Sequence, residues 1–150
     1  MKKGLLSLTF IMLATLGYSQ WKYERVNNGF DDPYRIAYTS PSNNAILKLE
    51  KVGDAVAFYI TGTYYCEDEP IVDLVFIVNG EERKYYAEAS TSDSRQTVFI
   101  LDDILTSNVL ESFKACSKLR VRVNESYCDT EVYSFNMSGS SAALNFVKSE

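Results

Sequence analysis

The chain contains no histidine. That absence removes the side chain most used as a general base, and with it the Ser-His and Cys-His nucleophile pairs. It also removes the usual partner of cysteine at structural zinc, and the three cysteines, Cys66, Cys116 and Cys128, form no local cluster of their own. No cofactor is implied. Basic residues are scarce as well: 15 Lys and Arg stand against 20 Asp and Glu, a formal charge of -5. Such a surface repels nucleic-acid phosphates and argues against nucleic acid as a partner. No internal repeat, low-complexity tract or interior linker divides the chain.

What is present begins with "MKKGLLSLTFIMLATLGYSQ". Two lysines, an apolar core from Leu5 to Leu16 and then small residues are the pattern of a secretory signal peptide, too short to span a bilayer. Cleavage is expected after Ser19, with Gln20 as the new terminus and no membrane span left behind. Residues 20–150 would then form one domain, and loss of Lys2 and Lys3 would carry the formal charge from -5 to -7. The expected location is secreted or periplasmic, where cysteines can oxidise.

Three cysteines leave one over. Cys66 ends a strand and enters an acidic loop, whereas Cys116 shares a helical stripe with Val109 and Phe113, as a small buried apolar side chain would. A Cys116–Cys128 bridge would have to span the strand from Lys118 to Asn124, roughly 20 Å at 3.3 Å per residue. The expected disulfide is therefore Cys66 with Cys128, leaving Cys116 reduced.

Periodicity is mostly two, the signature of strands with one face inward. In "YRIAYTS", Tyr34, Ile36 and Tyr38 alternate with Arg35, Ala37 and Thr39. "ILKLEKV" and "AVAFYITGTYYC" flank Gly53-Asp54, suited to a type II′ turn, with Val52 opposite Ala55, Leu49 opposite Phe58 and Leu47 opposite Ile60. The inward face of the second strand reads Val56, Phe58, Ile60 and Tyr64. "IVDLVFIV" and "EERKYYAEA" flank Asn79-Gly80, the preferred type I′ pair. Val78 opposite Glu81 then puts Phe76 by Arg83, Leu74 by Tyr85 and Val72 by Ala87, with Tyr85 inward and Tyr86 outward.

"STSDS" reads as a loop, "QTVFILD" as a strand and "NVLESFKACS" as a helix with Asn108 and Glu111 as a capping pair. "KLRVRVN" turns Leu119, Val121 and Val123 inward and Lys118, Arg120 and Arg122 outward. "EVYSFNM" comes next, and a last helix begins near Ser140, where Gly139 supplies the backbone angle and Ser140 or Ser141 the cap. About eight short strands and two late helices predict a mainly β (α+β) fold, an antiparallel sandwich or open barrel with helices closing its ends.

The acidic run Glu67-Asp68-Glu69, with Asp129, offers oxygen ligands of the kind calcium takes, but lacks the spaced Asp/Asn pattern with a glycine turn, and reads as a solvated loop. Asp31-Asp32 and Asp102-Asp103 could supply paired carboxylates for glycoside hydrolysis, yet adjacent acids before prolines and in turns serve more often as caps. Eleven tyrosines and Trp21 carry more weight, because amphipathic rings on an exported sheet stack on sugars or anchor protein partners. In the doublets Tyr64-Tyr65 and Tyr85-Tyr86, alternation sends one ring to each face. Trp21, Tyr65 and Tyr86 are the candidate contact residues, against the alternative that tyrosines only cover the second face of a half-buried sheet.

"LRVRV" followed by "VYSFNMSGSSAALNF", within residues 116–147, resembles the C-terminal part of periplasmic accessory proteins associated with type VI secretion. The resemblance implies an envelope-binding accessory protein without catalysis and carries over no functional residue. The expected function is a secreted or periplasmic, non-catalytic binding or adaptor domain that meets a protein or glycan of the envelope or exterior through a tyrosine-bearing sheet. The alternative is a small carboxylate-dependent hydrolase of envelope polysaccharide.

Overall fold

The computed structural model of the chain describes residues 21–27, 29, 32–39, 44–62, 64–101 and 107–149. Residues 1–20, on which the expected signal peptide falls, and Asp31, Asp102 and Asp103 lie outside them. Among the described residues ten strands and two helices succeed one another: β1 (Trp21–Val26), β2 (Tyr34–Thr39), β3 (Ile46–Val52), β4 (Ala55–Thr61), β5 (Ile71–Val78), β6 (Glu81–Glu88), β7 (Ser90–Thr91), β8 (Thr97–Leu101), α1 (Ser107–Ala115), β9 (Lys118–Asn124), β10 (Glu131–Asn136) and α2 (Ser140–Lys148). All pairing is antiparallel, in a six-stranded sheet of order β1-β2-β3-β4-β8-β7 and a four-stranded sheet of order β10-β9-β5-β6. The architecture is the expected β-sandwich, with both helices late in the chain. Among the described residues no helix is long and apolar enough to cross a membrane.

Both hairpins adopt the registers that the apolar alternation requires. Val52 pairs with Ala55, Leu49 with Phe58 and Leu47 with Ile60. In the second, Val78 pairs with Glu81, Phe76 with Arg83, Leu74 with Tyr85 and Val72 with Ala87. Asn79 and Gly80 both have positive φ, 53° and 85°, as a type I′ turn demands. Gly53 has φ 62° while Asp54 is not in the left-handed region, which fits the II′ alternative. A Cβ at Gly80 would meet nothing within 4 Å, so substitution there is opposed by backbone conformation alone. Gly80→Val is expected to lower stability by about 1 to 2 kcal/mol, and Gly80→Asn by distinctly less, since asparagine tolerates the left-handed region. Urea unfolding midpoints at unchanged m decide this, and equal midpoints for valine and parent would contradict the turn assignment.

Two strands differ from expectation. β1 carries only Trp21 and Tyr23 on its apolar parity before turning charged, and β7 is two residues cut from the "STSDS" segment, pairing Ser90 with Phe99 and Thr91 with Val98. In β2 the inward residues are Ala37 and Thr39, while Tyr34, Ile36 and Tyr38 lie half-buried on the other face.

The four-stranded sheet lays Val72, Leu74, Phe76, Leu119, Val121 and Phe135 onto the inner face of the larger one. The larger sheet extends beyond it, and α2 packs against that extension over β1, β2 and β3. Phe113 on α1 stands where these parts meet. Its ring lies edge-on to Phe58 at 5.0 Å, to Trp21 at 6.2 Å and to Phe76 at 6.5 Å, touching both sheets.

The helix starts also depart from the sequence pattern. Asn108 falls inside α1, which begins at Ser107, so it is not the residue that precedes the first turn. At α2 the N-cap is Gly139 itself, at φ 89°, and no side chain caps the helix. Ser140 is drawn elsewhere: it is buried, and its hydroxyl donates to the Phe113 carbonyl at 2.8 Å, linking the two helices. The Ser-Gly-Ser-Ser turn is thus a structural joint, with Asn136 Oδ1 accepting from the Ser138 N–H at 2.9 Å to start it.

Candidate functional site

The two outer faces of the sandwich differ in kind. On the six-stranded sheet, the register aligns Tyr38, Lys48, Tyr59 and Phe99 in one row across β2, β3, β4 and β8. Lys48 Nζ sits 4.2 Å from the Tyr59 ring centroid and 2.7 Å from Glu50 Oε2, and the rings of Tyr59 and Phe99 are 6.1 Å apart. Burial first, and the Glu50 carboxylate second, push the Tyr59 hydroxyl pKa up. Here the tyrosines do what the structural alternative assigned them: they cover the second face of a half-buried sheet.

The outer face of the four-stranded sheet is open. Val132, Arg122, Asp73 and Tyr86 form one row across β10, β9, β5 and β6, and Ser134, Arg120, Val75 and Lys84 form the next. All of these but Ser134 line a shallow depression of about 250 Å³. Tyr86 is 75% exposed and Val132 53%, large apolar surface at the ends of a charged row. Arg122 Nη1 lies 3.7 Å from Asp73 Oδ2, Lys84 Nζ lies 3.3 Å from Glu82 Oε2, and Arg120 Nη2 bonds Glu82 Oε1. Lys84 and Arg120 hold the Glu82 carboxyl below the usual carboxylate range, so it is ionised at neutral pH. The doublet in β6 splits as alternation demands, with Tyr85 turned inward against Phe76 at 5.8 Å and its hydroxyl 3.0 Å from Ser112 Oγ on α1. Tyr85 fixes the strand that presents Tyr86.

Of the three aromatic residues singled out from the sequence, only Tyr86 offers its ring to solvent. Trp21 is 3% exposed and Tyr65 0%, both in the core. In the first doublet the exposed ring is Tyr64, at 57%, not the inward residue that continued alternation gave. The reason is that β4 ends at Thr61, so its parity no longer governs Tyr64 and Tyr65. Tyr65 turns in toward Tyr133, with their hydroxyls 3.3 Å apart, in the space that a Cβ on Gly62 would need. Trp21 is claimed by Phe113.

At the other end of the sandwich, Cys66 and Cys128 sit at disulfide distance, with Cα atoms 6.1 Å apart. Glu125 is the residue that sequence reasoning missed here. Its Oε1 accepts the N–H of Cys66 and that of Glu67, the latter at 3.0 Å, while Glu67 Oε1 accepts the Ser126 N–H. Two carboxylates thus lace the same two loops reciprocally. Asp68 is held by Arg95 Nη2 at 2.6 Å, and Arg95 Nη1 donates to the Cys66 carbonyl. These acids are used in loop structure, and among the described residues no group of three or more acidic or cysteine side chains could hold a metal ion. Asp32 is exposed.

Cys116 is buried and unpaired, its thiol donating to the Phe113 carbonyl at 3.4 Å. Burial raises its pKa from 9.0 to about 12. The folded state therefore holds the proton more tightly than the unfolded one, and this contribution to stability is whole below pH 9 and fades as pH climbs toward 12. Iodoacetamide is expected to leave Cys116 untouched in the native protein at pH 8 and to modify it on unfolding, read as one added label by intact mass. Native labelling at the rate of an unfolded peptide would contradict the burial.

No family model, curated protein or solved structure matches this chain.

Proposed function

We propose that this chain is an exported, non-catalytic binding domain that meets a protein or glycan of the cell envelope or exterior through the outer face of its four-stranded sheet. The observation that carries the reading is Tyr86, a large ring 75% exposed on a regular strand, paired directly with Asp73 at one end of a row that runs through Arg122 to Val132. Tyrosine, with few rotatable bonds, and arginine are the residue types enriched among those that dominate binding energy at interfaces, and this face carries both. Rigid strands hold the group in place, and Tyr85 locks β6 from behind. The missing histidine argues against acid–base chemistry at this face. Export rests on the N-terminal pattern Met1 to Ser19, and the likeness of residues 116–147 to periplasmic accessory proteins points to the same compartment.

Loss of Tyr86 decides the matter. Tyr86→Ala, on an exposed site, should leave the unfolding midpoint within experimental scatter and reduce retention of the exported protein on isolated envelope fractions by about tenfold or more. Unchanged retention by a folded Tyr86→Ala protein would remove this face from consideration.

A further inference from the structure

A different part of the molecule gathers positive charge that the fold alone does not explain. β1 and β2 pair with Arg25 directly opposite Arg35, and the β2–β3 register, extended by one residue, brings Lys51 to the other side of Arg35. Three cations thus occupy one row across three strands, on the face that α2 partly covers. With Asp32, Gly53 and Ser149 they line a depression of about 420 Å³ beside the C-terminal end of α2.

Part of this has a structural reason. Arg35 Nη1 donates to Ser149 Oγ, and the guanidinium lies 5.3 Å from the Phe146 ring, so Arg35 serves the end of α2, where cations are favoured by the helix dipole. Arg25 and Lys51 have no such reason, and among the described residues neither makes an ion pair. Like charges directly opposite on neighbouring strands are destabilising. In a chain of net charge -5, three cations in one depression are not a consequence of composition either.

We propose that this depression binds a phosphate group, either free phosphate or a phosphate monoester. Among the described residues that line it, three cations stand against one carboxylate, Asp32, a balance that favours an anion such as this group, nearly doubly charged at neutral pH. Two guanidinium forks and one ammonium provide the donors that tetrahedral oxyanions take. The site is separate from the Tyr86 face, and its test stands or falls independently of that reading.

Titration of the labelled protein with inorganic phosphate at constant ionic strength, monitored through amide resonances, is the measurement. Saturable shifts are expected at Arg25, Arg35, Lys51 and Gly53, with half-saturation in the millimolar range or below. The double variant Arg25→Gln, Lys51→Gln should melt no lower than the parent, since it removes like-charge repulsion, and should weaken the apparent affinity by about tenfold or more. A parallel titration with phenyl phosphate separates the sources: tighter binding of the ester assigns the remaining volume to an organic group, and tighter binding of inorganic phosphate assigns the site to the free ion. Shifts that do not saturate in the millimolar range, or that persist unchanged in the double variant, would overturn the proposal.

Discussion

Reduction of the Cys66–Cys128 bond is expected to lower the stability of the protein by about 4 kcal/mol while leaving its native spectrum intact. The two cysteines are 62 residues apart, so their bond removes the closure entropy of a long loop from the unfolded chain, and that is where most of its effect lies. The folded state does not depend on the bond to hold the same loops together. Glu125 accepts the Cys66 and Glu67 N–H groups, Glu67 accepts that of Ser126, and Arg95 binds the Cys66 carbonyl. Urea unfolding with and without reductant should give well-separated midpoints and superimposable circular dichroism before the transition. Coincident midpoints would mean that the bond does not form in solution. A non-reducing peptide map linking Cys116 to either partner would contradict its burial at the end of α1.

Phe113→Ala is expected to cost about 3 to 5 kcal/mol, the range for truncating a fully buried phenylalanine. The upper part of the range applies here because the ring touches Trp21, Phe58 and Phe76 on three strands of two sheets, which cannot all collapse into one vacated space. Its carbonyl also accepts the Ser140 hydroxyl, so a shift of α1 disturbs α2. Loss of near-ultraviolet aromatic signal together with a large fall in the urea midpoint is the expected outcome. A cost below about 1 kcal/mol would show that α1 does not plug the sandwich as described.

The parts of this fold that could be read from the sequence are those where period-two alternation meets a turn of fixed chemistry. Gly53-Asp54 and Asn79-Gly80 set two registers residue by residue, and Leu119, Val121 and Val123 all face inward as their parity requires. The same parity, carried two residues further, falls on Glu125. A glutamate is not expected inside, and only the unpaired N–H groups of the opposite loop make its burial favourable. Tyr64 and Tyr65 depart from expectation for the converse reason, since alternation does not hold past the end of β4. β1 is hidden by its exposed charges and is held through Trp21, a long-range contact that no local pattern encodes. Nor does local sequence show that Arg25, Arg35 and Lys51 share a row, because the pairing of β1, β2 and β3 that unites them is tertiary. The open face around Tyr86 is half legible: the outward parity of Tyr86, Arg120 and Arg122 is plain, but their juxtaposition with Val132 and Asp73 requires the strand order β10-β9-β5-β6.

A photo-crosslinking amino acid in place of Tyr86 tests the proposed binding face most directly, with the same probe in place of Glu24, on the outer face of the six-stranded sheet, as reference. Adduct formation with one discrete envelope or extracellular component at position 86, and none at position 24, is the predicted result. Equal labelling at both positions, or no adduct at position 86 from a folded protein, would contradict it.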